Sequence, residues 1–157
     1  MSCEEAQSAV EGTVLSCCIS RKKGTRKQPV ASIDLRVSEG IAGDAHAGNC
    51  HRQVSLLGNE SVDIMREKGA ELNPGDFAEN ILTSGIDLRT LPVGTVLAIG
   101  EVLLAVTQIG KTCHHDCEIR KLIGTCVMPT DGIFTVVLRG GTVKPGDVIR
   151  VLSAKEL

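Results

Sequence analysis

Eight consecutive residues, Gly110-Lys111-Thr112-Cys113-His114-His115-Asp116-Cys117, bring together two thiols, two imidazoles and a cation. They follow the apolar run Val102–Ile109, which reads as a buried strand. A strand end followed by Gly turns side chains out into a loop, and rigid scaffolds hold chemistry in such loops. The thiolate, rather than the thiol, attacks sulfur or ligates a soft metal. Lys111 and His114 beside Cys113 favour that anion, so Cys113 is the expected nucleophile or metal ligand and the other two assist it. A buried structural thiol is the plain alternative. A zinc site is another, built from Cys113, Cys117, His114 or His115, and Cys126, with His46, Cys50 and His51 completing it in space. Its spacing departs from the usual two pairs of closely set ligands.

The rest of the chain limits what this cluster can serve. At 157 residues it makes one domain with a real core. Apolar residues at 42% and charged residues at 23% are those of an ordinary globular protein. With no Trp or Tyr and only two Phe, there is no platform on which bases could stack. The formal charge of −2 argues against a general polyanion binder, so no nucleic-acid partner is expected. No apolar run reaches the roughly 20 residues of a membrane span. The start, Met1-Ser2-Cys3-Glu4-Glu5, lacks the basic and apolar regions of a signal peptide, which points to the cytoplasm and away from a membrane.

Seven cysteines, at 3, 17, 18, 50, 113, 117 and 126, are an odd number without an export signal, so a disulfide framework is not expected. Cys17 and Cys18 lie in an apolar strand, where Cys behaves as a small hydrophobe. The thiols that matter are then among Cys50, Cys113, Cys117 and Cys126.

Short runs rich in Val, Ile and Leu, separated by turn residues, must position the cluster, and they predict an all-β protein. Strands are expected over 12–20, 30–37 (opened by Pro29), 53–57, 77–83, 95–99, 102–109, 132–138 and 148–152. Leu91-Pro92-Val93-Gly94 and Arg139-Gly140-Gly141 read as turns, Gly40–Cys50 as a Gly-rich loop and Arg21–Gln28 as a basic loop. The clear helix is Asn59–Lys68, capped by Asn59 and stopped by Gly69; a short second helix is expected over His115–Ile123. Many short strands close best as a barrel, which removes exposed edges. Residues 12–152 form the single domain in this reading, with tails at 1–11 and 153–157.

Four ordered pieces carry a resemblance: Gly40-Ile41-Ala42-Gly43-Asp44-Ala45-His46-Ala47-Gly48, then Arg52-Gln53-Val54-Ser55-Leu56-Leu57, then Pro74-Gly75-Asp76-Phe77-Ala78-Glu79-Asn80-Ile81, then Leu91-Pro92-Val93-Gly94-Thr95. In this order the chain resembles the MOSC family, the domain at the C-terminus of molybdenum-cofactor sulfurases. Cys113 falls where that family carries its characteristic cysteine, although the stretch here reads Lys111-Thr112-Cys113-His114, without the Arg or Pro that the family often shows beside it.

The resemblance implies a barrel of the MOSC or pyruvate-kinase β-barrel type. It also implies molybdenum-cofactor binding or sulfur relay, whether as carrier, sulfur transferase or oxidoreductase component. Cys113 would ligate molybdenum or carry a persulfide. The implied partners are a cysteine desulfurase, which would hold its own pyridoxal phosphate, and enzymes or biosynthesis proteins of the cofactor. Lys22, Lys23, Arg26 and Lys27 around Gly24 would cradle the pterin phosphate, or else form a solvated loop. Asp44, His46 and Arg52 would line the same cleft, although Asp44 suits an Asx-type turn equally well. Asn80, set beside Glu79 in an apolar pattern, would line the cleft or make a hydrogen bond at the barrel rim. A non-catalytic binding module is the remaining alternative.

Overall fold

The computed structural model of the chain describes residues 11–21, 26–44, 48, 53–67, 69, 71–110 and 131–152. Along it run β1 (Glu11–Ile19), β2 (Gln28–Val30), β3 (Ile33–Arg36), β4 (Gly40–Ile41), β5 (Val54–Gly58), helix α1 (Asn59–Glu67) and β6 (Ile81–Ser84). A 3-10 turn at Leu88–Thr90 follows, then β7 (Val96–Ile99), β8 (Val102–Ile109), β9 (Ile133–Arg139), β10 (Gly141–Val143) and β11 (Val148–Val151). Seven strands close a barrel in the order β11-β7-β8-β9-β5-β6-β1, because β1 also pairs with β11. The expected all-β barrel is what forms.

One strand does most of the joining. The first half of β1 pairs with β11, Thr13 facing Val148, and its last residues pair with β2, Cys18 facing Pro29. Pro29 has no N–H to give, and the outermost strand of the sheet is where that loss is tolerated. Between these, β1 pairs with β6 through a bulge at Val14/Ser16. The other strands pair antiparallel except β5 with β6, and α1 fills the crossover that a parallel pair needs.

Alternation sorts the core into two layers. Leu56, Ile81 and Ile133 face the barrel interior with Val14, Leu97 and Leu104. Their chain neighbours Leu57, Leu82 and Phe134 face outward, under Val62 and Met65 of α1 and beside Phe77. All five residues of β5 are therefore buried, which is why it shows no polar face in the sequence.

Several expected boundaries shift. The run 30–37 is broken at Ala31-Ser32, so β2 joins the barrel sheet while β3 forms a separate sheet in the order β10-β3-β4. Gly141 begins β10 rather than ending a turn, and Gly40–Ile41 in the expected loop is β4, facing Leu35–Arg36. Phe77–Asn80 are not strand: Ala78 takes φ 64°, and the Glu79 side chain folds back on the turn. Asn59 does not cap α1 with its side chain, which bonds to Asp63 and Arg66 instead. The expected helix at 115–123 lies outside the described residues.

Candidate functional site

A buried polar cluster sits where β1 ends. Lys27 Nζ lies 2.7 Å from Asp44 Oδ1, with both side chains wholly buried. The same carboxylate oxygen accepts the Ser20 N–H at 3.1 Å, and Lys27 Nζ also donates to Ser20 Oγ at 3.3 Å. Gly43, at φ 86°, turns the chain so that Asp44 reaches inward. One carboxylate thus ties the segment after Ile41 to both sides of the basic loop. Such a pair is stable only with good geometry and additional hydrogen bonds, and Ser20 supplies them here.

The backbone of Lys27 rests on a second turn. Its N–H donates to Gly75 O at 2.8 Å, and a Cβ on Gly75 would stand 2.1 Å from Lys27 O. Gly75 also has φ 89°, so only glycine meets both demands. Glu79 holds this turn: its Oε2 accepts the Gly75 N–H at 2.7 Å and its Oε1 the Phe77 N–H at 3.2 Å. Burial pushes the Glu79 carboxyl up to about 7, against the opposing pull of those backbone N–H groups. Burial, with Glu79 next in importance, raises Cys18 to about 12, and burial with Asp147 raises Cys17 to about 12. Neither thiol is a nucleophile near neutral pH.

Asn80 closes the cluster. Its Nδ2 donates to Cys18 O at 3.0 Å, and its Oδ1 accepts from Ser55 N–H at 3.0 Å and Ser55 Oγ–H at 3.2 Å. With no exposed surface, Asn80 braces β1 against β5, the hydrogen-bonding alternative of the sequence reading.

Of the expected site residues, the described part of the chain brings Asp44 and Asn80 to this one region. Arg26 is there too, half-exposed, 3.9 Å from Asp76 Oδ1. Lys22, Lys23, His46, Arg52, Lys111, Cys113 and His114 lie outside the described residues, as do Cys50, His51, Cys117 and Cys126 of the zinc alternative. Among the described residues no group of three or more His, Cys, Asp or Glu is placed to hold a metal. Lys27, read in the sequence as a cation of the basic loop, instead pairs with Asp44 inside the wall, and Glu79 and Ser20 complete the cluster without having been singled out as site residues. The odd charge of Glu79 beside Asn80 was a visible signal; Ser20 gave none.

Register links this region to the root of the Cys113 segment. Ile109 faces Ile133, Ile133 faces Leu56, Leu56 faces Ile81 and Ile81 faces Cys17, in one row across five strands. Beyond Ile109, the Gly110 N–H donates to Gly132 O at 2.7 Å and pins together the two ends of segment 111–131. A barrel with this cluster invites comparison with known sequences, and the sequence model of the MOSC domain matches residues 42–150. The chain belongs to the MOSC domain family.

Solved structures agree on the fold of this MOSC domain. YuaD from Bacillus subtilis superposes with a TM-score of 0.76 at 21% identity, covering 90% of this chain and 95% of that one. YiiM from Geobacillus stearothermophilus gives 0.69 at 18% identity, over 90% of this chain and 75% of that one. YiiM from Escherichia coli gives 0.66 at 20%, over 91% and 70%. No curated protein sequence matches the MOSC domain described here.

Proposed function

We propose that this MOSC domain binds the molybdenum cofactor or passes sulfur to it, with Cys113 as the thiolate centre. Membership of the family over residues 42–150 is the observation that carries the reading. The pinned ends at Gly110 and Gly132 support it, because Cys113 stands three residues beyond a fixed point of the barrel. When bound, the cofactor would supply a molybdenum centre already holding dithiolene sulfurs, which one protein thiolate can complete.

The described residues fit an anionic cofactor in one respect and limit it in another. Among the described residues, Arg26 is a half-exposed cation whose ion pair is one long contact to Asp76, which leaves it available to a phosphate. Lys27, by contrast, is neutralised by Asp44 inside the wall and holds the loop rather than the ligand. Lys22, Lys23 and Arg52 would add positive charge, Lys111 and His114 would stabilise the Cys113 thiolate, and His46 would face the bound group. In the relay version the Cys113 thiolate attacks the outer sulfur of a donor persulfide. An S–S bond forms at Cys113, and the donor thiolate leaves. The donor would be a pyridoxal-phosphate desulfurase of the cytoplasm.

The test uses protein prepared without oxygen. Reconstitution with molybdenum cofactor should load wild type and fail with Cys113→Ser, and incubation with a desulfurase and cysteine should add sulfur at Cys113. Equal loading of both proteins, with no sulfur added to wild type, would remove the thiolate from the function.

A further inference from the structure

A cavity of about 410 Å³ opens at the start of α1, between the end of β6 and the 3-10 turn. That volume is in the range of small-molecule sites. Its apolar side is made by Ile64, Ile86 and Leu88, and its polar side by Glu60, Ser61, Arg89 and Asp131. None of these residues belongs to the cofactor reading, and the inference does not depend on it.

The polar side has unspent hydrogen-bonding capacity of both signs. The first-turn N–H groups of a helix need acceptors from outside it. Asn59, the residue placed to supply one, has its side chain committed to Asp63 and Arg66. Glu60 is likewise committed, accepting the Gly85 N–H at 2.7 Å. Ser61 lines the cavity at 7% exposure, and its hydroxyl has no hydrogen-bond partner among the described residues. Arg89 gives Nε to Asp87 at 3.2 Å, but its Nη1 only reaches within 4.0 Å of Asp131.

Charge decides what fits. Glu60, Asp87 and Asp131 against Arg89 leave the cavity with a surplus of two negative charges. A plain anion meets that surplus, and a plain cation leaves Ser61 and the helix donors unanswered. We propose that the cavity binds a small zwitterion with an apolar body, the chemical class of a free α-amino acid. Its carboxylate accepts from Ser61 Oγ–H, the first-turn N–H groups of α1 and the open edge of Arg89. Its ammonium donates to Asp131, and its side chain lies on Ile64, Ile86 and Leu88.

Calorimetric titration of the full chain separates the possibilities with three matched probes. These are L-leucine, 3-methylbutylamine (leucine without its carboxylate) and 4-methylpentanoate (leucine without its amine). Leucine should bind, and each half-probe should bind at least about tenfold more weakly, as expected for loss of charged hydrogen bonds. Arg89→Gln, Asp131→Asn and Ser61→Ala should each weaken leucine, with folding checked by circular dichroism. Cys113→Ser should leave leucine binding unchanged. Three outcomes overturn the proposal: no leucine binding at about 10 mM, either half-probe binding as well as leucine, or leucine binding unaltered in all three cavity variants. The first two need only wild-type protein, so a variant that fails to fold does not shield the idea.

Discussion

At the scale of single residues, Asp44 and Glu79 are two buried carboxyls with opposite histories. Asp44 is compensated by a cation 2.7 Å away, whereas the partners of Glu79 among the described residues are backbone N–H groups. Removing Asp44 takes from the buried Lys27 ammonium the carboxylate 2.7 Å away, and breaking such a buried pair typically costs about 3–5 kcal/mol. Asp44→Ala should therefore shift the urea midpoint strongly, and Lys27→Met with Asp44→Leu should recover a large part of the loss. A single-variant cost under about 1 kcal/mol would show that water reaches the pair.

Glu79 sets a pH dependence. Its carboxyl rises from 4.5 to about 7 on folding, so the folded chain holds a proton that the unfolded chain has released. The associated stability is full below pH 4.5 and falls as pH rises through about 7, on the order of 3 kcal/mol in all. Wild type should unfold at lower urea at pH 8 than at pH 5, and Glu79→Gln should flatten that difference. The same pH slope in both proteins would remove Glu79 as its source. Asp76 is the charged neighbour that adds to the rise, and Cys18 is the thiol that Glu79 in turn pushes up.

At the scale of elements, the turn from Asn73 to Asn80 is where periodicity misleads most. Phe77, Ala78, Ile81 and Leu82 look like one apolar strand, yet the chain turns until Ile81 because Glu79 takes the N–H groups that a strand would offer its neighbour. The contact of Gly75 with Lys27, 48 positions earlier, has no local sign at all. Gly75→Ala should cost more than about 2 kcal/mol, since a left-handed conformation and a backbone clash add. Loss of thermal stability measured by circular dichroism checks it; a change within about 0.5 kcal/mol would mean the turn can lift away from β2. Helix α1 was legible from its charge order, and β5 from its length, because both depend on near neighbours. The break between β2 and β3 was not, because it marks a change of sheet.

At the scale of the whole molecule, the barrel was legible in the spacing of short apolar runs and turn residues, and the family in four ordered motifs. Partnerships inside the candidate site were hidden, because Lys27 with Asp44 and Asn80 with Ser55 depend on which strands become neighbours. The pairing of β1 with β11 has a consequence for synthesis. Thr13 leaves the ribosome among the earliest residues of the barrel, and its partner Val148 among the last. Until then β1 and β7 both lack the strand that separates them, and contacts this distant in sequence form slowly. The nascent barrel is thus an open sheet for most of its translation, with two unsatisfied edges that only the final strand can close.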